Sequence, residues 1–254
     1  MVHMEHRELY ESDATAELVE QQLLLWDARR LAAREKSKGE AGYRFLTIAR
    51  DEGSLGNEIA QQLSRRLGWH VFDREIVDYI AKNNHVRKKL VRELDQKSQG
   101  FIQDAIPRLL SIPEHASFGR EEYHEALLKT LVCLATHGTA ILVGRGGNFV
   151  LREDADGLNV RVTASAEVRA QRLSENWKVT MEEARRRMRA GDEERRKFIR
   201  HYYRQDFDDV RFYDIVLNTD RVSAERAACS ILAFMNHREA GGSGGEVPEA
   251  RPNC

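Results

Sequence analysis

The sequence predicts an α/β fold in which a parallel sheet is covered by helices on both faces, and three observations support it. Five short runs rich in aliphatic and β-branched residues recur along the chain: Phe45-Leu46-Thr47-Ile48-Ala49, Trp69-His70-Val71-Phe72, Thr139-Ala140-Ile141-Leu142-Val143, Asn159-Val160-Arg161-Val162 and Tyr213-Asp214-Ile215-Val216-Leu217. Stretches with helical spacing separate them, as crossovers between parallel strands require. The composition, 41% hydrophobic and 32% charged over 254 residues, suffices for one globular core and excludes a wholly disordered chain.

The first helical pattern precedes the sheet. Ala16, Val19, Leu23, Trp26 and Arg30 recur at spacings of three and four behind Ser12 and Asp13, which predicts a helix over residues 13–36 within an N-terminal extension of residues 1–42. Its apolar stripe seeks burial, by packing within the chain or by pairing two copies as a homodimer. After the first strand, Ile59, Leu63 and Leu67 share one face of a helix that ends at Gly68; another helix runs from about Glu121 to His137 and ends at Gly138. Thr180-Met181-Glu182-Glu183 has the capping-box pattern, and the helix behind it is crowded with arginine. The final helix starts near Ser223, closing a main domain of residues 43–237, and the Gly- and Pro-containing residues 238–254 are expected to be a disordered tail.

Forty Lys and Arg against forty-one Asp and Glu give a formal charge of −1, which removes the broad electrostatic case for a nucleic-acid partner. No apolar run approaches the roughly 20 residues that span a bilayer, so no membrane partner is expected. The first residues, Met1-Val2-His3-Met4-Glu5-His6, lack the apolar core of a signal peptide, and Cys133, Cys229 and Cys254 form neither a paired framework nor a metal spacing. A reducing, cytoplasmic setting is therefore expected.

Three strand ends hold the candidate chemistry. Arg50-Asp51-Glu52-Gly53-Ser54-Leu55-Gly56-Asn57-Glu58 leads from the first strand into a helix, where free N–H groups and the helix dipole can hold phosphate. The P-loop pattern is not met: Asn57 stands where Lys is expected, and Glu58 where a magnesium-binding hydroxyl is expected. The second strand ends in the charged trio Asp73-Arg74-Glu75, in which Asp73 is also a fitting helix cap. The third ends in Gly144-Arg145-Gly146-Gly147, where Arg145 can present a planar fork to phosphate or pair with a neighbouring carboxylate. Residues 185–204 hold nine Arg and Lys, counted from Arg185, Arg186, Arg187, Arg189, Arg195, Arg196, Lys197, Arg200 and Arg204. Such a stretch suits a solvated face, a lid over a nucleotide, or, with Phe198, Tyr202 and Tyr203 interleaved, an RNA surface.

Taken in order, these segments resemble the cytidylate kinase-like family, a branch of the P-loop nucleoside monophosphate kinases. The resemblance covers roughly residues 43–236 and rests on the loop from Ile48 to Ala60, on Phe72-Asp73-Arg74-Glu75-Ile76, on Val143-Gly144-Arg145-Gly146, on the stretch from Val162 to Leu173, and on Tyr213 to Thr219. It implies a three-layer P-loop kinase-like sandwich with a five-stranded parallel sheet and a helical arginine-rich lid at about residues 176–208. It also implies ATP with Mg2+ bridging its phosphates, and a small acceptor across the cleft, a nucleoside monophosphate such as CMP among them. By the same resemblance Gly53, Ser54, Leu55, Gly56 and Asn57 cradle the donor phosphates, and Asp73, Arg74 and Arg145 face the acceptor. Arg50 takes the place of the loop lysine, and Arg195, Arg196 and Arg200 are the lid arginines that act on the transferring group. Leu55, where the family commonly has glycine, adds a side chain where backbone approaches phosphate. Two functions follow: a phosphotransferase, or a catalytically weak or inactive nucleotide-binding regulatory relative of the same fold.

Overall fold

The computed structural model of the chain describes Gln21, Leu23, Trp26 and residues 42–92 and 120–240. The chain divides into two compact units, Met1–Glu40 and Ala41–Cys254. In the first, the three described residues are helical, and Leu23 and Trp26, which the spacing puts on one face, are buried. The rest of the predicted 13–36 helix lies outside the described residues.

The second unit is built on five parallel strands: β1 (Phe45–Arg50), β2 (His70–Phe72), β3 (Ala140–Val143), β4 (Gly157–Thr163) and β5 (Ile215–Asn218). Their order across the sheet is β2-β3-β1-β4-β5. β1 is central, with Phe45 registered against both Ala140 and Gly157, and a central strand is buried on both faces, as Phe45 to Ala49 are. All five predicted strands are present, the last displaced toward its C-terminus. Tyr213 and Asp214 are drawn out of it, because the Tyr213 N–H closes a turn onto the Val210 carbonyl and the Asp214 carboxylate accepts from the Asn159 N–H at 2.7 Å.

Eight α-helices complete the described part of this unit: α1 (Gly56–Leu67), α2 (Arg74–Lys82), α3 (Asn84–Arg92), α4 (Arg120–His137), the single turn α5 (Gly147–Val150), α6 (Ala166–Trp177), α7 (Met181–Tyr203) and α8 (Ala224–Ala240). The last continues through residues 238–240, the start of the predicted tail; the remainder of that tail is outside the described residues. On one face of the sheet, Leu46, Ile48, Val143, Val160 and Val162 pack against Ile59 and Leu63 of α1 and Ala228 and Ile231 of α8. On the other, α4 lies against β3 and α2, with Leu127, Leu128, Leu131 and Leu134 buried. A smaller cluster, Ala170 and Leu173 with Ala184 and Met188, joins α6 to α7 as a hairpin. Thr180 caps α7 by accepting the Glu183 N–H at 3.3 Å, while the Glu183 side chain turns to Arg186 and Arg187 instead of closing the capping box. None of the described helices is long and apolar enough to cross a membrane.

Candidate functional site

β1 delivers Arg50 to the carboxyl edge of the sheet, and residues 51–55 turn the chain into α1. Leu55, the residue before the helix, is left-handed at φ 67°, and no side chain caps α1. The first intrahelical bond runs from the Ile59 N–H to the Leu55 carbonyl at 2.9 Å, so the amides of Leu55 to Glu58 precede it at the positive end of the helix. That end is where the anion site expected of this loop would lie. The left-handed backbone costs a leucine about 1–2 kcal/mol, and partial packing of its side chain against the main core offsets this. Leu55 therefore serves the core as well as lining the loop.

Arg50 lies beneath the loop. Its neighbours are glycines by necessity: a Cβ on Gly56 would stand 2.5 Å from the Arg50 Cβ, and one on Gly144 would stand 2.5 Å from its Nη1. Its Nε donates to Asn57 Oδ1 at 3.2 Å. Burial, and after it the nearby Arg195 charge, pull the Arg50 pKa down to about 10. It is still a cation at neutral pH, held where an incoming anion would relieve its lost hydration.

Two cavities meet above it. The larger, about 390 Å³, is walled by Arg74, Glu75, Arg145, Arg187 and Phe198 among others; the smaller, about 170 Å³, is walled by residues 50–58 with Arg172, Leu173 and Asn176. Arg50, Glu52, Asn57, Trp177 and Arg195 line both and mark the junction. All five predicted loop residues, Gly53 to Asn57, line the smaller cavity.

The other predicted residues divide. Arg195 reaches the junction, where it pairs with Glu52 and donates to Asp192 Oδ1 at 2.9 Å. Arg196 and Arg200 line neither cavity: Arg196 is held by Asp208 at 2.9 Å, and Arg200 is exposed. The convergence of three lid arginines thus narrows to Arg195, because a single helix cannot aim consecutive residues 195 and 196 at one point. Arg187, two turns before Arg195, lines the larger cavity in their place.

Arg74 lines the larger cavity, paired with Glu75 and Glu194. Asp73 lines neither; it caps α2 by accepting the Ile76 N–H at 3.0 Å, and burial raises its pKa. Arg145 lines the larger cavity at φ 52°, but Asp78 takes its fork, Nε to Oδ1 at 2.6 Å and Nη2 to Oδ2. Burial opposes its charge and the Asp78 bonds outweigh it, so its pKa stands above the ordinary value. Tyr123 also donates to Asp78, and the Phe198 ring lies 4.5 Å from the Arg145 guanidinium carbon. The carboxylate partner weighed for Arg145 is therefore real, leaving Nη1 as the amino group Asp78 does not engage. The aromatics that would have served RNA stacking are used for packing: Tyr203 is buried against Phe149, and Phe198 lies against Tyr202.

Sequence reasoning gave no role to Asp51, Arg161, Arg169, Arg172, Asp192 or Thr219. Asp51 is buried under the loop, accepting from Arg161 at 2.7 Å and Thr163 at 2.7 Å. Arg169, Arg172 and Thr219 stand in the very stretches that carried the family resemblance, but their partners are distant in sequence and only folding pairs them.

A parallel sheet order with β1 central, an uncapped helix N-terminus after β1, and arginines at the carboxyl edge define an α/β protein of the P-loop kinase-like fold. The chain belongs to the cytidylate kinase-like family, whose model matches residues 45–221. It is 30% identical over 112 residues to a cytidylate kinase of Pyrobaculum islandicum, covering 41% of this chain and 60% of that protein. It is 24% identical over 205 residues to a cytidylate kinase of Halobacterium salinarum, covering 80% of this chain and 95% of that protein. The chain spans 57–60% of the length of the first curated relatives it matches. A crystal structure of an uncharacterized protein from Eubacterium ventriosum shares the fold at a TM-score of 0.60 and 18% identity, covering 77% of this chain and 99% of that one.

Proposed function

We propose that the protein is a nucleotide-dependent phosphotransferase that passes the γ-phosphoryl group of ATP to a small acceptor, a nucleoside monophosphate such as CMP. The observation that carries this reading is the junction: an arginine with depressed pKa, Arg50, lies where a loop cavity and a larger second cavity meet. The donor phosphates lie over the amides of Gly53 to Asn57, and the acceptor occupies the larger cavity between Arg74, Arg145 and Arg187. Arg50 and Arg195 stabilise the charge on the phosphoryl group as it passes between them, which is the main task of a catalyst for this reaction. The proteins named cytidylate kinase among the relatives point to CMP as the first acceptor to test.

Among the described residues no group of three or more His, Cys, Asp or Glu is gathered to hold a metal ion. Of the two glutamates that line the smaller cavity, Glu52 is paired with Arg195, and the exposed Glu58 is the one that would suit Mg2+, which takes one or two carboxylates and otherwise rides on phosphates. Bound there, the ion would neutralise phosphate charge.

Coupled ATP turnover with a panel of monophosphates tests the reading: one acceptor, CMP first, should stimulate ADP formation. Leu55 in the loop and the pairing of Arg195 with Glu52 favour the second reading, a nucleotide-binding regulatory protein. ATP binding with no acceptor-dependent turnover across the panel would decide for it.

A further inference from the structure

A loop that binds phosphate through its amides must keep its carbonyl oxygens off the anion, since a carbonyl facing phosphate repels it. In many such loops glycine allows the backbone to adjust when ligand arrives; here Leu55 occupies one of those positions. Every carbonyl from Asp51 to Leu55 has its own donor within the protein. Asp51 O accepts from Ser54 Oγ at 2.8 Å, Glu52 O from Arg169 Nη1 at 3.1 Å, and Gly53 O from Arg172 Nη1 at 3.3 Å. Ser54 O accepts from Thr219 Oγ1 at 2.9 Å and Leu55 O from the Ile59 N–H at 2.9 Å.

Three of these donors come from outside the loop and are themselves braced. Arg172 also donates to the Thr219 carbonyl at 2.7 Å and to its hydroxyl at 3.1 Å. Arg169 is buried and bound to the buried Asp192 at 2.6 Å, and Asp192 in turn accepts the Glu52 N–H at 3.1 Å, so the Glu52 peptide is gripped at both ends. Gly53 fits only because it lacks a side chain, since a Cβ would lie 2.9 Å from the Arg169 carbonyl.

We infer that Arg169, Arg172 and Thr219 are positioning residues of the donor site: they hold the loop carbonyls and so preset the amides for a polyphosphate before it binds. This rests on the proposed nucleotide site and goes beyond it by naming what shapes the loop. A preset loop does not spend binding energy on ordering itself, which is how positioning raises affinity without touching ligand.

Thr219→Val removes the hydroxyl at nearly constant volume and frees the Ser54 carbonyl. Binding of inorganic tripolyphosphate and of ATP to the full chain should each weaken about tenfold, Thr219→Ser should restore both, and the acceptor concentration for half-maximal rate should stay as in the native protein. A merely structural role would lower the Tm and leave the affinities of the folded variant unchanged; that result overturns the inference while leaving the nucleotide site standing. If Thr219→Val does not fold, Thr219→Ala, which also removes the hydroxyl, is read by the same two titrations with the same expected and overturning results. Native protein that binds neither tripolyphosphate nor ATP overturns the nucleotide site and this inference with it.

Discussion

Arg50 is a cation that folding half-buries and sets beside a second cation, Arg195, with its Nε donating to Asn57. Because its folded pKa lies below the unfolded value, the unfolded chain holds this proton more tightly, and at every pH below about 10 the charged side chain lowers stability. Arg50→Met should therefore raise the ligand-free Tm at pH 7, by about 2–4 °C for each kcal/mol relieved, and at the same time weaken ATP binding at least about tenfold, the loss of one charge-assisted bond. A Tm that falls, or an ATP affinity that holds, would count against Arg50 as the loop cation. Arg145 behaves oppositely, since its charge is matched. Arg145→Ala and Asp78→Ala should each destabilise the fold, and the double variant should fall short of the sum by about 1 kcal/mol or more, as neighbours sharing one interaction do. Additive losses in chemical denaturation would show that the pair contributes little.

At the scale of elements, α2 and α7 position the cleft in different ways. α2 begins at Asp73, whose carboxylate is committed to the Ile76 N–H, so its place in the sequence next to Arg74 reflects capping. Asp73→Ser keeps an N-cap oxygen and removes the negative charge; stability should change by less than about 0.5 kcal/mol, and the acceptor concentration for half-maximal rate should not move. A raised half-saturation would place the Asp73 carboxylate at the acceptor after all. α7 is tied to the loop by Asp192 and Arg195 and to α6 by Leu173 and Met188, so the arginine-rich helix is anchored along its cleft-facing side. Its outward arginines, such as Arg186 with Glu183, are exposed pairs of small energetic weight.

For the molecule as a whole, a ligand that binds only the native state must raise the Tm, and at a hundredfold excess over its Kd it adds about 2.7 kcal/mol. ATP at such excess should lift the midpoint by about 5–10 °C for a domain of this size, and CMP added with a non-hydrolysable triphosphate should lift it further, as two substrates sharing one junction do. No shift with any nucleotide would remove the proposed site. The two cavities meet at Arg50, Glu52, Asn57, Trp177 and Arg195, which come from β1, the loop, α1, α6 and α7, so a ligand there draws on five segments of the unit at once.

The strands were legible because a parallel strand buried on both faces is rich in aliphatic residues, a local property that Phe45 to Ala49 and Ala140 to Val143 display in a single stretch. Helix ends at Gly68 and Gly138, the cap at Thr180 and the turn from β1 into α1 were legible for the same reason, since backbone conformation and hydrogen bonding over a few residues set them. The family followed from the order of those local signals. What the sequence could not supply was direction: a fork at residue 145 reads alike whether it meets Asp78 or a phosphate, and arginines 195 and 196 read alike until the helix sends one to Glu52 and the other to Asp208. The bonds that shape the loop join Thr219 to Ser54 and Arg169 to Glu52 across 165 and 117 residues. Pairings over such separations are set by which strands become neighbours in the sheet, so only the tertiary structure decides which side chains hold the loop and which face the cleft.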